Sequence, residues 1–221
     1  MAYILNIETS TTNCSVSLSN EGETLVLKED YNTNYSHAES LHVFIDEVIK
    51  EANLKLSQIN AISVSKGPGS YTGLRIGVSA AKGLCFSLNV PLISVDTLES
   101  LAHQLQVESG FIIPLLDARR MEVYASVYDN KYQNIRATEA EIITETSFSD
   151  YLETSKVYFI GDGVEKIKTV INHPNANFID GKMPSSKNMC ILSFDKYKKS
   201  DFEDVAYFEP FYLKDFIGLK S

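Results

Sequence analysis

The same pattern occurs once in each half of the sequence. Residues 4–18 read ILNIETSTTNCSVSL, and residues 113–127 read IPLLDARRMEVYASV. Each stretch has an apolar run, an acidic residue, a polar turn and a run of alternating character, which is typical of an antiparallel hairpin. They align without a gap and place Glu8 over Asp117. The repeat favours a duplicated fold with halves at 1–108 and 109–221.

Helices and strands alternate after the first hairpin. Ser36 and Glu39 stand where a capping box would begin an amphipathic helix. The predicted order is a strand over 24–28, a helix over 36–52, a strand over 61–65, a helix over about 72–88, a strand over 91–95 and a helix from Asp96. Because strand, helix and strand form a right-handed crossover, this order predicts a largely parallel sheet with an antiparallel edge.

The second half echoes this order and then becomes less regular. Residues 157–171 read VYFIGDGVEKIKTVI, a strand, Gly-x-Gly and a helix. A last helix is predicted within 188–199, and the aromatic residues of the tail from Tyr207 to Tyr212 are expected to dock on the core. The fold class that follows is α/β, with two halves that face each other across a cleft and each contain a mixed sheet flanked by helices.

Composition excludes several classes of function. The formal net charge of -9 disfavours a stand-alone role in binding RNA, because the overall field repels phosphates. The three cysteines have no spacing typical of a zinc site or a disulfide framework, so no metal is expected. No apolar run approaches the roughly 18 residues of a membrane span, so no membrane contact and a cytoplasmic location are expected.

The loop KGPGSYTG at 66–73 fails the known phosphate-binding patterns. It lacks the Gly-Lys-Ser/Thr of a Walker A loop, the third glycine of a dinucleotide fingerprint and the Gly-x-Ser-x-Gly of a nucleophile elbow. The helix after it carries small residues over much of its surface, namely Gly73, Gly77, Ala80, Ala81 and Gly83. Small residues allow another backbone to approach, which fits either packing on the protein's own sheet or a helix interface with a second subunit.

The two hairpin turns are candidates for contact with a phosphate. Duplicated folds that clamp a nucleotide, such as the actin-like ATPases, bring these turns close to the anion through an Asp-x-Gly-Thr type sequence. The first turn here is Glu8, Thr9, Ser10 and Thr11, and the second begins Asp117, Ala118, Arg119 and Arg120. Neither has a glycine, which favours inherited turns with little nucleotide affinity, while phosphate binding stays open. Glu8 and Asp117 are also candidates for acid-base work, but no activated nucleophile accompanies them.

Several stretches together resemble the TsaB family, also called YeaZ, of the bacterial tRNA threonylcarbamoyladenosine pathway. They are ILNIETSTTNCSVSL, SHAESLHVFIDEVI, SKGPGSYTGLRIGVSAAKGL, PLISVDTLESLA, LLDARRMEVYASVYD and FEPFYLKD. The resemblance is clear over residues 1–128 and patchy beyond. It implies a duplicated actin-like fold of the ribonuclease H-like class, termed ASKHA, and a paralogous partner, TsaD.

The resemblance also implies a role for this chain without chemistry of its own. In TsaD a His-x-x-x-His pair binds the catalytic metal, but Thr97 and Leu101 stand at those positions here. No cofactor is therefore expected in this chain, and ATP and metal are expected in the partner subunits. The family implies a heterodimer with TsaD, a third subunit in the ATPase TsaE, contact with tRNA only through the complex, and a homodimer as a possible state in isolation.

The family pairs with its partner through its first two helices. The residues expected at that interface are His37, Leu41, Phe44, Gly73, Ile76, Gly77 and Ala80. Two other functions stay open: a phosphotransferase of the sugar-kinase type, which needs a nucleotide in the cleft, and a peptidase, against which the absent metal pair and nucleophile argue.

Overall fold

The computed structural model describes residues 1–31 and 37–214, so Ser36 of the predicted capping box lies outside the described residues. The chain divides into two compact units, Met1–Thr97 together with the C-terminal segment from Ser185, and Leu98–Pro184. The predicted division into 1–108 and 109–221 is wrong in two respects. The boundary lies earlier in the chain, and the C-terminal segment returns to the first unit.

The first unit is built on a five-stranded sheet with the order β3-β2-β1-β4-β5. The hairpin strands β1, β2 and β3 pair antiparallel, and β4 and β5 add to β1 in parallel. The sequence analysis therefore predicted both the parallel part and the antiparallel edge correctly. The elements are β1 Tyr3–Glu8, β2 Cys14–Asn20, β3 Glu23–Asp30, α1 His37–Glu51, β4 Ala61–Ser65, α2 Tyr71–Leu88 and β5 Leu92–Val95.

The second unit repeats this arrangement. Its sheet has the order β8-β7-β6-β9-β10, which matches the first sheet strand for strand when both are counted from the antiparallel edge strand, β3 in the first sheet and β8 in the second. The repeat confirms the duplicated α/β fold. The elements are α3 Thr97–Ala102, which begins at the unit boundary, β6 Phe111–Asp117, β7 Glu122–Asp129, β8 Asn134–Ile142, α4 Ser149–Leu152, β9 Val157–Ile160, α5 Val164–Lys168 and β10 Ala176–Ile179.

The last helix, α6 Cys190–Lys198, returns to the first unit because the first sheet has two faces to cover. One face packs its apolar side chains against α1 and α2. On the other face Ile4 and Ile93 contact the segment that carries Met189, and Asn6 accepts a hydrogen bond from Ser193 at 2.7 Å. These contacts bring the C-terminal segment to the first sheet.

The tail after α6 runs along α2. Lys82 of α2 donates to the carbonyl oxygens of Ala206 and Phe208 at 3.1 and 2.9 Å, and the backbone N–H of Phe211 donates to the carbonyl of Lys66 at 2.7 Å. Phe208 packs against the core, as predicted, but Tyr207 is 84% exposed. The expectation that every aromatic residue of the tail docks on the core is therefore wrong.

Candidate functional site

The glycine loop packs on the first hairpin turn of its own chain. The backbone N–H of Ser70 donates to the carbonyl of Ser10 at 2.6 Å, and a Cβ on Gly69 would collide with that carbonyl. The hydroxyl of Ser70 then accepts a hydrogen bond from the N–H of Gly73, which makes Ser70 the N-cap of α2. The loop thus fixes where α2 begins.

Gly73 and Gly77 make room for Thr9. A Cβ on Gly73 would lie well inside 3.0 Å of the carbonyl oxygen of Thr9, and a Cβ on Gly77 would lie equally close to its hydroxyl oxygen. That hydroxyl donates to the carbonyl of Gly73 at 2.8 Å. These two glycines serve internal packing, so their assignment to a partner interface is wrong.

The first turn is buried as a result. Glu8, Thr9, Ser10 and Thr11 are all buried, and the Oε1 atom of Glu8 accepts hydrogen bonds from the N–H of Ser10 at 2.6 Å and the hydroxyl of Ser65 at 2.9 Å. Burial raises the pKa of the Glu8 carboxyl above its usual range. A phosphate cradle needs open backbone donors, and this turn directs the Ser10 donor to its own carboxylate.

Two other residues assigned to the partner interface are also buried. His37 is 1% exposed, and its Nε2 lies 2.6 Å from the carbonyl oxygen of Thr11, to which it donates. Burial lowers the pKa of His37. Leu41 lies entirely within the core beneath α1. Both residues support α1 from inside, which corrects the prediction that they meet a partner.

The second hairpin turn differs from the first because its arginines are exposed. Arg119 and Arg120 have positive backbone φ values of 71° and 50°. The Oδ1 atom of Asp117 accepts from the N–H of Arg119 at 2.6 Å and from Lys166 Nζ at 2.8 Å, and the N–H of Asp117 donates to Asp162 at 2.8 Å. Asp117 therefore holds the turn in place.

Sequence reasoning missed the residues that anchor this second turn. Asp162 lies in the Gly-Asp-Gly stretch before α5, and burial raises the pKa of its carboxyl. Lys166 follows one helical turn later and forms an ion pair with Asp117. The signal was present in the repeat, since both residues belong to 157–171, the segment that echoes the glycine loop.

A groove of about 910 Å³ lies on the outer surface between α1 and α2. It includes two of the predicted interface residues, Ile76 and Ala80. These two residues and Phe44 all pack partly buried against the core beneath, but Phe44 does not line the groove. Sequence reasoning missed the rest of the lining. Among the described residues the lining is Ala38 and His42 from α1 with Tyr71, Thr72, Arg75, Ile76, Ser79, Ala80, Gly83, Leu84 and Ser87 from α2.

Helical periodicity separates the groove from the core. The buried positions of α2 include Leu74, Val78, Ala81 and Cys85, spaced by three and four residues. At about 100° per residue, Ile76, Ala80 and Gly83 fall on the opposite side of the helix. A Cβ added to Gly83 would meet no atom within 4 Å, so this glycine faces open space.

An aromatic pair holds Arg75 at the edge of the groove. The guanidinium carbon of Arg75 lies 4.1 Å from the ring centre of Tyr71, and its Nε donates to the hydroxyl of Tyr212 at 3.2 Å. The two tyrosine rings are 4.8 Å apart. The tail therefore reaches the groove and fixes a charged side chain there.

The part of the chain that the structure describes offers little for metal chemistry. Thr97 and Leu101 are both buried, and neither is a metal ligand of a usable type. Across residues 1–31 and 37–214, no three side chains of His, Cys, Asp or Glu come together as ligands for an ion. Within the same ranges no helix is long and apolar enough to cross a bilayer.

Comparison with known proteins places the chain among tRNA-modification proteins. Residues 32–215 match the family model of TsaD, tRNA N6-adenosine threonylcarbamoyltransferase. Over 173 residues the chain is 32% identical to the tRNA threonylcarbamoyladenosine biosynthesis protein TsaB of Bacillus subtilis, which covers 76% of this chain and 74% of that protein. Over 231 residues it is 26% identical to TsaB of Escherichia coli, covering 99% and 97% of the two chains.

A solved structure shows the same likeness in three dimensions. YeaZ from Pseudomonas aeruginosa superimposes with a TM-score of 0.82 at 25% identity, over 96% of this chain and 100% of that one. The likeness confirms the duplicated actin-like fold and extends through the second half, where the sequence resemblance was patchy.

Proposed function

Because the chain belongs to the TsaB (YeaZ) family, we propose that it is a non-catalytic subunit whose work is to hold a TsaD-like paralogue against the groove between α1 and α2. The chain takes part in tRNA threonylcarbamoyladenosine biosynthesis. The observation that carries this proposal is the groove itself, an open surface of mixed apolar and small side chains on α1 and α2, the two helices through which the family resemblance implies pairing.

The lining of the groove suits a helix of another subunit. Ile76 and Leu84 provide apolar contact, while Ala80 and Gly83 leave space for a side chain or backbone to approach. Arg75 at the edge adds a charged group that is already ordered by two tyrosines. Arginine and tyrosine are enriched among the residues that dominate binding energy at interfaces.

A non-catalytic role is supported by the residues at the expected metal-binding positions and at the first hairpin turn. Thr97 and Leu101 replace the metal-binding histidines that the family resemblance would place there, and both are buried. The first turn is buried, Thr9 packs against α2, and the N–H of Ser10 donates to Glu8, all of which argue against a nucleotide phosphate at this turn. We therefore assign ATP and metal to the partner subunits, with a TsaE-like ATPase as the third member.

Contact with tRNA is proposed to occur through the complex. The net charge of -9 makes the free chain a poor partner for a polyanion. Titrating the isolated chain with magnesium ATP in a calorimeter tests the assignment of the nucleotide. Tight binding at one molecule per chain would favour a phosphotransferase of the sugar-kinase type instead.

The docking proposal is tested with Gly83→Trp. Gly83 lies in the groove with open space around it, so the indole fills the groove without straining the chain's own core. The matched control is Lys199→Trp, at an exposed position just after α6. Size-exclusion chromatography and calorimetry with the cognate TsaD-like protein should give a complex for the wild type and the control, and at least about 100-fold weaker binding for Gly83→Trp.

The outcome that contradicts the proposal is equally specific. If Gly83→Trp binds the paralogue as tightly as the control does, the groove is not the docking surface. A reconstituted assay for threonylcarbamoyladenosine in tRNA should follow complex formation, so that Gly83→Trp lowers product formation while the control does not.

A further inference from the structure

Among the described residues of the first unit, two aromatic side chains are almost fully exposed. Phe86, near the end of α2, is 86% exposed, and Tyr207, in the tail, is 84% exposed. Leaving large aromatic surface in water has a cost in free energy, and clusters of such residues often mark binding surfaces. Neither residue belongs to the lining of the groove.

Lys82 brings the two aromatic residues into one region. Phe86 follows Lys82 by one helical turn, so both side chains lie on the same side of α2. Tyr207 stands between Ala206 and Phe208, the two residues whose carbonyl oxygens accept hydrogen bonds from Lys82. The tail is thus fastened to the helix surface from which Phe86 projects.

The tail presents Tyr207 on an ordered backbone. Phe208 packs against the core, the N–H of Phe211 donates to Lys66, and the hydroxyl of Tyr212 accepts from Arg75. At about 100° per residue, Arg75, Lys82 and Phe86 fall within about 40° of one another around α2. A surface that is ordered before binding loses less conformational entropy when a partner arrives.

The size of the groove leaves room for this region in the same interface. Of the residues that the structure describes, eleven line the groove, whereas a stable interface commonly uses about 20 to 30 residues on each side. Gly83 lines the groove, and Phe86 follows it by three residues, so the two positions are neighbours on the helix surface and the exposed aromatic surface adjoins the groove. A partner seated in the groove needs further contact surface, and this region adjoins it.

We propose that Phe86 and Tyr207 form an aromatic extension of the docking surface and that the same TsaD-like paralogue covers it with apolar side chains of its own. This inference rests on the proposed function, because it assumes that the paralogue occupies the groove. It assigns to the tail a role in binding, whereas the family resemblance implies pairing through the first two helices.

The test uses Phe86→Ser and Tyr207→Ser, singly and together. Both side chains are almost fully exposed, so the melting temperature of the free chain should not change. The matched control is Ile191→Ser, which removes an apolar side chain that is 47% exposed on α6, across the sheet from α2. Calorimetry with the TsaD-like protein should show about 10-fold weaker binding or more for each single variant and no change for the control.

Three outcomes would overturn the inference. If the double variant binds the paralogue like the wild type while Gly83→Trp does not, the aromatic extension is wrong and the groove proposal stands. If the wild-type chain does not bind the paralogue at all, both proposals fail. If the double variant loses a homodimer in size-exclusion chromatography but keeps the paralogue, a second copy of this chain covers the surface instead.

Discussion

Replacing Gly77 with alanine should destabilise the protein although it improves the helix. The new Cβ would collide with the hydroxyl oxygen of Thr9, while its next contact, the Cβ of Thr9, would be at an ordinary 3.4 Å. Thr9 is completely buried, and its hydroxyl is committed to the carbonyl of Gly73. To relieve the collision, Thr9 must rotate and give up this hydrogen bond.

The magnitude follows from three opposing effects. Forcing an extra carbon into a packed core costs about 1–3 kcal/mol. Losing the buried hydrogen bond of Thr9 costs about 1 kcal/mol more. Alanine gains up to about 1 kcal/mol over glycine within a helix. The free energy of unfolding should therefore fall by about 1–3 kcal/mol, which urea titration followed by circular dichroism can measure.

Two companion variants isolate the cause. In a Thr9→Ala background the colliding oxygen is absent, so Gly77→Ala should become neutral or stabilising, a change of sign that only direct contact produces. Gly83→Ala, with nothing within 4 Å of the new carbon, should stabilise the free chain by up to about 1 kcal/mol. If Gly77→Ala stabilises the protein in both backgrounds, Thr9 does not occupy the space beside this glycine.

Three further predictions concern buried charge and the tail. Burial raises the pKa of Glu8 above its ordinary 4.5, so the stability that Glu8 contributes is present below that pH and is lost as the pH rises through the folded pKa. In urea titrations from pH 4 to 7, the free energy of unfolding of Glu8→Gln should therefore rise relative to that of the wild type. Parallel curves for the two proteins would contradict this. Burial lowers the pKa of His37 below its ordinary 6.5, so its contribution is present above that pH and is lost as the pH falls through the folded pKa. His37→Gln can retain the hydrogen bond donated to Thr11, and it should reduce the fall in the free energy of unfolding below pH 6.5. An unchanged fall would exclude His37 as its cause. Lys82→Met removes two hydrogen bonds to the tail, so chymotrypsin should cut beside Tyr207 faster than in the wild type, and an equal rate would show that Lys82 does not fasten the tail.

The architecture was predictable because its signals are local. Alternating and helical periodicities within short windows identified both hairpins, α1 and α2, and the repeat between 4–18 and 113–127 indicated the duplication. The return of the C-terminal segment to the first unit was not predictable in this way. It depends on the second face of the first sheet, where residues such as Asn6 find partners more than 180 residues later in the chain.

The assignment of the glycines in α2 failed for a related reason. Gly73, Gly77 and Gly83 look alike in sequence, and each could admit either the protein's own backbone or a partner. Their roles differ because Thr9, more than 60 residues earlier, lies against the first two and not against the third. No periodicity within the helix carries that information, although the spacing of its buried residues separates the side that faces the core from the groove.

The two copies of the hairpin turn have acquired opposite properties, and the difference bears on function. In the second unit, Asp117 and Lys166 hold a turn whose arginines are exposed. In the first unit, the turn is buried under α2, with Thr9 fitted against Gly73 and Gly77. The space that an open turn would offer to a phosphate is filled by these contacts, which fix the position of α2. The outer face of this helix is therefore ordered in the free chain. A glycine-rich stretch that resembles a nucleotide loop thereby supports the proposed docking surface from within, and among these three glycines Gly83 is the one with open space around it.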